Sequence, residues 1–164
     1  MTTSTAVDGR YVAVIGGTEV SSSVAADAEE VGRLLAEAGV IVVTGGREGV
    51  ATAASRGAME AGGLTVGILP GRDRDEANPW VRVAVPTGLG EMRNALVVMD
   101  ADAVIAFPGA YGTLTEIAFN LATLYAFRTI VFCSPPFVEG DRTEIIAPSY
   151  PVICDSPALS GGGW

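Results

Sequence analysis

The sequence contains no histidine and no lysine, since all ten of its basic residues are arginine. Without histidine, the chain cannot perform Ser-His-Asp or Cys-His catalysis, and the usual zinc ligand sets are unavailable. Without lysine, it lacks a Walker-type phosphate-binding residue and cannot form the Schiff base that pyridoxal phosphate enzymes need. Any chemistry therefore depends on Arg, Asp, Glu, Ser, Thr, Tyr and backbone groups, and we expect neither a metal site nor an intrinsic cofactor.

Cysteines and long apolar runs are also scarce. Cys133 and Cys154 are too few for a disulfide framework or a cysteine metal cluster, so we expect reduced thiols that pack as apolar side chains. Mean hydropathy is +0.39, yet no uninterrupted apolar run approaches the ~20 residues of a membrane-spanning helix. No charged-then-apolar signal peptide opens the chain. These features predict a cytoplasmic protein without a membrane partner.

Length and charge limit the organisation and the partners. A chain of 164 residues with 49% hydrophobic content predicts a single domain over 1–164, Rossmann-like by the patterns described below, with 1–10 and 156–164 as flexible tails. The formal net charge of −9 argues against a nucleic acid partner, which requires a basic face. Any phosphate that the protein recognises must therefore be met by local groups.

Short apolar runs alternate with segments of helical periodicity. The runs predict strands at 11–15, 40–44, 64–69, 81–85, 103–107 and 129–133, with 152–154 as a short last strand. Helical spacing follows in 24–38, 50–61, 90–101 and 114–125; small residues in the second helix predict a close approach to the sheet. This rhythm predicts an α/β fold, a three-layer Rossmann-like doubly wound parallel sheet. The charged segment 70–79 between prolines is a candidate lid.

Three predicted strand-to-helix junctions carry glycines. Glycine permits positive φ and a close ligand, while the helix that follows offers unpaired N–H groups to an anion. Glycines also serve tight turns without any ligand, but three such loops at one sheet edge favour a phosphate-binding site. The predicted ligand-binding residues are Gly16, Gly17, Thr44, Gly45, Gly46, Arg47, Gly49, Pro108, Gly109, Ala110, Tyr111, Gly112 and Thr113.

The last of these loops leads into Thr113 and Glu116. Glu116 lies off the apolar stripe of its helix, so it is predicted to face away from the core. Two interpretations remain open: Thr113 binds a phosphate oxygen beside a functional Glu116, or the Thr-x-x-Glu spacing is a capping box that only closes the helix start.

The segment Pro108-Gly109-Ala110-Tyr111-Gly112-Thr113-Leu114-Thr115-Glu116, with Met92-Arg93-Asn94 and the Gly45–Gly49 loop before it, resembles a family signature. The family is that of the Rossmann-like proteins often mislabelled lysine decarboxylases. It includes the cytokinin-activating LOG phosphoribohydrolases and the molybdenum cofactor carrier proteins. The resemblance covers roughly Tyr11 to Cys133, and the absence of lysine argues against the decarboxylase label.

The resemblance implies roles for two residues. In LOG enzymes, an Arg-Lys pair precedes Pro-Gly-Gly-x-Gly-Thr-x-x-Glu, and by motif position Arg93 and Glu116 would be the catalytic residues of an enzyme that cleaves a nucleoside monophosphate. Asn94 stands where that pattern has lysine, and Ala110 replaces its second glycine. The Arg93-Asn94 pair, with the segment from Thr44 to Gly63 and the strand end Ile68-Leu69-Pro70-Gly71, is more similar to the carrier branch. That branch binds the phosphate-bearing pterin of molybdenum cofactor.

The sequence leaves three hypotheses about function open. The leading hypothesis is a carrier of molybdenum cofactor or a related phosphorylated small molecule, without a chemical step. The first alternative is a LOG-type nucleoside 5′-monophosphate phosphoribohydrolase, and the second is a nucleotide sensor that signals through oligomer contacts. The resemblance also implies a homo-oligomer, either a dimer or a tetramer.

Overall fold

The computed structural model describes residues 9–99, 101–122, 129–132 and 152–154. The predictions for residues 1–8, for 155–164, for the end of the last helix at 123–125 and for Cys133 lie outside the described residues.

The described residues form one sheet of seven parallel strands. The strands are β1 (Tyr11–Ile15), β2 (Ile41–Thr44), β3 (Thr65–Leu69), β4 (Val83–Pro86), β5 (Ala103–Ala106), β6 (Thr129–Phe132) and β7 (Val152–Cys154). Their order is β4-β3-β2-β1-β5-β6-β7. In the register, Val12 of β1 pairs with Val42 on one side and with Ala103 on the other. The parallel sheet predicted from the continuous apolar runs is confirmed.

Helices cover both faces of the sheet. They are α1 (Ser22–Glu37), α2 (Val50–Glu60), α3 (Asn94–Met99) and α4 (Tyr111–Ala122). Side chains of α1 and α2 pack on one face, around Val14 and Val42, while those of α3 and α4 pack on the other, around Ala13 and Ile15. The three-layer prediction is therefore confirmed. No helix in the described part of the chain has both the length and the apolarity to cross a membrane.

Most predicted elements differ from the structure by a few residues at their ends, and in two of them a contact between different parts of the chain explains the difference. The helix predicted over 90–101 is a 3₁₀ turn, Gly90–Arg93, followed by the short α3. Gly90 has a φ of +57°, and its N–H donates to the carbonyl of Pro70 (2.9 Å), which holds the turn away from α-helical geometry. The fourth strand begins at Val83 and not at Val81, because the Val81 N–H closes a turn onto the carbonyl of Asn78 (3.1 Å).

The small residues of α2 allow a close approach to α1. From the sequence, we had predicted a close approach of this helix to the sheet. A Cβ at Gly32 of α1 would collide with the carbonyl oxygen of Ala54, and one at Gly57 of α2 with the carbonyl oxygen of Glu29. Arg56 and Glu29 add an ion pair across the same seam. The two helices therefore meet backbone to backbone at these points.

Gly32→Ala should destabilise the protein even though alanine favours helices. The added methyl group must push α1 and α2 apart, and overpacking of this kind costs roughly 1–3 kcal/mol. Gly112→Ala is the matched control, because a Cβ there meets nothing nearer than Asn94 Nδ2 at 3.8 Å. Urea unfolding of both variants measures the difference, and equal stabilities would contradict backbone contact at Gly32.

Candidate functional site

The carboxyl ends of β1, β2 and β5 meet where the strand order reverses, between β1 and β5. Parallel α/β sheets bind ligands at such a switch point. The Gly17 N–H donates to the Pro108 carbonyl (2.9 Å), and the Gly17 carbonyl accepts from the Val50 N–H at the start of α2 (3.1 Å). The structure thus brings the three predicted glycine loops together.

The loop glycines serve two different needs. Gly46 and Gly49 have φ values of +75° and +65°, a region that favours glycine. Gly16 and Gly109 provide room instead. A Cβ at Gly16 would lie 2.5 Å from the Val50 side chain, and one at Gly109 would collide with the Thr113 hydroxyl. Close packing between loops therefore explains part of the glycine pattern without any ligand.

A cleft of about 180 Å³ opens between these loops and the 3₁₀ turn that precedes α3. Both residues that the family resemblance singled out, Arg93 and Glu116, line it. The predicted ligand-binding residues that line the cleft are Gly16, Gly17, Gly45, Arg47, Ala110, Gly112 and Thr113. Those that do not line it are Thr44, Gly46, Gly49, Pro108, Gly109 and Tyr111.

Several predicted phosphate-binding groups have partners within the protein. Thr44 is fully buried, and its hydroxyl accepts a hydrogen bond from the Gly46 N–H (3.0 Å). The N–H of Gly17 is bonded to Pro108, as described above. Tyr111 extends outward and is 87% exposed. In this arrangement the N–H groups of Gly17 and Gly46 stabilise the loops.

Other cleft residues were not among the sequence-predicted ligand contacts. They are Val14, Thr18, Glu48, Ala51, Glu91 and Asn94. Glu91 and Asn94 lie within two residues of Arg93 in the sequence, and Ala51 follows the second glycine loop. Their closeness to these motifs was the sequence signal that could have predicted them as cleft residues. Asn94 is buried, with Nδ2 at 3.4 Å from Glu91 Oε2 and 3.5 Å from the Gly112 carbonyl.

Arg93 and Glu116 form a buried ion pair at the base of the cleft. Arg93 Nη1 lies 3.5 Å from Glu116 Oε1, and the side chains are only 12% and 8% exposed. Helix α4 begins at Tyr111, so Thr113 lies within its first turn and is not the residue before the helix. Because the residue before the helix is Ala110, Thr113 and Glu116 do not form a capping box, and Glu116 contacts Arg93 instead. Glu116 is buried against Arg93, whereas the sequence had predicted only that it faces away from the core.

The distance between the two charged groups is long for an ion pair, and burial has the largest effect on the pKa of each group. Burial raises the pKa of Glu116 from 4.5 to about 7, against the opposing effect of Arg93, while nearby Glu91 raises it further. Burial also lowers the pKa of Arg93 below its ordinary value. At 3.5 Å, the attraction does not compensate for the loss of hydration. Near neutral pH, Glu116 can therefore accept or donate a proton.

Gly45 makes room for the guanidinium of Arg93. A Cβ at this position would lie 2.8 Å from Nη1 and 3.1 Å from Nη2. The buried Nε of Arg93 has no hydrogen-bond partner among the residues that the structure describes. Arg93 also lines the cleft, so its guanidinium lies against bare backbone at a place suited to an oxygen-rich ligand.

The cleft has mixed charge and two helix starts. Arg47 and Arg93 provide positive charge, while Glu48, Glu91 and Glu116 provide negative charge. Ala51 in the first turn of α2 and Gly112 in that of α4 also line it, and helix starts favour anions. Within the described ranges, no three side chains group as metal ligands.

The fold and the cleft define a Rossmann-like α/β protein with a glycine-lined cleft at its topological switch point. The chain belongs to the SLOG cluster4 family, whose sequence profile matches residues 9–139. The family resemblance inferred from the motifs is therefore confirmed.

Two solved structures resemble this chain along most of its length. The molybdenum cofactor binding protein from Rippkaea orientalis is 35% identical, with a TM-score of 0.71 over 77% of this chain and 78% of that one. The molybdenum cofactor carrier protein from Chlamydomonas reinhardtii is 31% identical, with a TM-score of 0.68 over 76% of each chain.

Two relatives are similar in sequence. An uncharacterized protein of Archaeoglobus fulgidus is 38% identical over 131 residues, which are 80% of this chain and 85% of that protein. A probable cytokinin riboside 5′-monophosphate phosphoribohydrolase of Oryza sativa subsp. japonica is 34% identical over 104 residues. That match covers 62% of this chain and 42% of the rice protein.

The raised pKa of Glu116 predicts a pH-dependent stability. The folded protein binds the Glu116 proton more tightly than the unfolded chain does, so stability should fall as pH rises from about 4.5 to about 7 and then level off. The loss should approach roughly 3 kcal/mol. Glu116→Gln should remove this dependence, measured as the unfolding free energy at pH 5 and pH 8.

Glu19→Gln, which removes an exposed carboxylate elsewhere, controls for the change in net charge. Parallel pH profiles for wild type and Glu116→Gln would show that Glu116 does not titrate in this range.

Proposed function

We propose that the cleft holds a phosphate-bearing, nucleotide-like ligand and that the protein is a carrier of the molybdenum cofactor type, which binds without turnover. The observation that carries this proposal is Arg93, whose guanidinium lies against the bare backbone of Gly45 and lines the cleft. The similarity to two proteins described as binding or carrying molybdenum cofactor supports the same ligand class.

Charged side chains and N–H groups at the cleft explain how an acidic protein can bind a phosphate. The chain has a net charge of −9, so long-range attraction of an anion is unfavourable. Arg47 and Arg93 supply charge at the cleft, and the first turns of α2 and α4 supply N–H groups. We assign the phosphate to this combination, with Gly16, Gly17, Ala110, Gly112 and Thr113 as the neighbouring wall.

Glu116 suits the heterocycle of such a ligand. A pterin or purine carries ring N–H donors and ring acceptors, and a carboxyl group with a pKa of about 7 can pair with either. Asn94, which lines the same cleft, adds an amide of similar versatility. We further propose a single cytoplasmic domain that forms a homo-oligomer.

The second candidate function is hydrolysis of a nucleoside 5′-monophosphate. It is favoured by the buried Arg93–Glu116 pair and by the similarity to the probable phosphoribohydrolase of rice. Ionised Glu116 would activate water or stabilise positive charge on the ribose, while Arg93 would hold a ligand oxygen.

Incubation with nucleoside 5′-monophosphates, alongside molybdenum cofactor, separates the two functions. The carrier predicts that molybdenum stays with the protein after desalting and that no free base or ribose 5-phosphate appears. Base release that disappears in Glu116→Gln would establish the hydrolase and contradict the carrier. Loss of molybdenum on desalting, together with no release of base from any nucleotide, would contradict both.

Gly45→Ala should weaken ligand binding by displacing Arg93. The methyl group would lie within 2.8 Å of Nη1, so the guanidinium must leave its position, with an expected loss of roughly tenfold in affinity. Calorimetric titration with molybdenum cofactor or adenosine 5′-monophosphate measures this loss. The double variant with Arg93→Ala should bind no more weakly than Arg93→Ala alone, whereas additive losses would mean that Gly45 acts independently of Arg93.

A further inference from the structure

Asn78 connects the segment between β3 and β4 to the second glycine loop. Its backbone N–H donates to the Gly46 carbonyl (2.9 Å), and its side-chain Nδ2 donates to the Arg47 carbonyl (2.8 Å). Asn78 does not line the cleft, but Arg47 does. The segment predicted as a lid is therefore fastened, at this end, to a wall of the cleft.

The amide of Asn78 has a defined orientation. Its Oδ1 accepts a hydrogen bond from the Trp80 N–H (3.0 Å), so Nδ2 must be the atom that faces the Arg47 carbonyl. The Trp80 carbonyl in turn accepts from the hydroxyl of Thr65, a fully buried residue of β3 (2.7 Å). Asn78 is thus anchored to the sheet and can hold the loop against it.

The Arg47 carbonyl is held from a second side. The hydroxyl of Thr52, in the first turn of α2, donates to the same oxygen (2.6 Å). Arg47 lies between Gly46 and Gly49, both in the left-handed region, where the backbone is intrinsically permissive. Two side chains therefore restrain a peptide whose own sequence would leave it mobile.

We propose that Asn78 is a positioning residue for the ligand site, which fixes loop 45–49 through the Arg47 carbonyl so that the Arg47 side chain meets the bound phosphate. The inference rests on the proposed function in the role given to Arg47. Aspartate at this position keeps the acceptor for Trp80 but replaces the donor with a charged oxygen facing a carbonyl oxygen. Asn78→Asp therefore breaks the contact with little change in volume.

Hydrogen–deuterium exchange tests the loop without any ligand. In Asn78→Asp and Asn78→Ala, exchange in a peptide spanning 45–52 should rise roughly five- to tenfold, the equivalent of one lost hydrogen bond. Thr52→Val should act in the same direction and keeps the β3–β4 segment intact. Asp75→Ala, an exposed change in the same segment, is the control and should leave exchange unchanged. Unchanged exchange in the Asn78 and Thr52 variants would overturn the proposal.

Binding of adenosine 5′-monophosphate or molybdenum cofactor tests whether Asn78 affects the ligand through Arg47. Asn78→Asp and Arg47→Ala should each weaken binding roughly five- to tenfold, and the double variant should bind no more weakly than Arg47→Ala alone. Additive losses, or full affinity in Asn78→Asp, would overturn the positioning role. If the wild type binds neither probe, the proposed function fails, whereas the exchange result still decides whether Asn78 holds the loop.

Discussion

The backbone of Gly17 is the point on which the cleft depends. Its N–H donates to the loop after β5, and its carbonyl accepts from the first residue of α2, so one residue joins three segments that are distant in sequence. Such contact is possible because glycines leave no side chains between the loops. Main-chain hydrogen bonds therefore hold the walls of the cleft together around Gly17.

Burial of Arg93 and Glu116 is the main energetic cost at this site. Both groups lose hydration, and their separation of 3.5 Å returns only part of that free energy. Arg93 Nε lacks a partner within the described part of the chain, and Glu116 retains its proton to about pH 7. A ligand oxygen bound by Arg93 where its side chain lines the cleft would recover part of that free energy. The imbalance in the free protein thus favours occupancy of the cleft.

Local patterns predicted most of the fold and part of the site. Buried strands such as Tyr11–Ile15 and Ala103–Ala106 followed from continuous apolar runs, because a parallel sheet buries both faces. The break at Gly90 did not, since it depends on a hydrogen bond to Pro70 some twenty residues earlier. Motif resemblance selected Arg93 and Glu116, but spacing alone left Glu116 equally consistent with a cap. The internal bonding of the Gly17 and Gly46 N–H groups depends on tertiary contacts that have no local sequence signal.

The contact between α1 and α2 has a consequence for how this protein can change. At Gly32 and Gly57, each helix touches carbonyl oxygens of the other, so the partner atoms belong to the main chain. A larger residue at either position cannot be accommodated by a smaller one opposite, because there is no side chain opposite to reduce. The two helices must therefore move apart to accept a larger residue at either position. The seam therefore fixes the spacing between α1 and α2, and the first turn of α2 contributes Ala51 to the cleft.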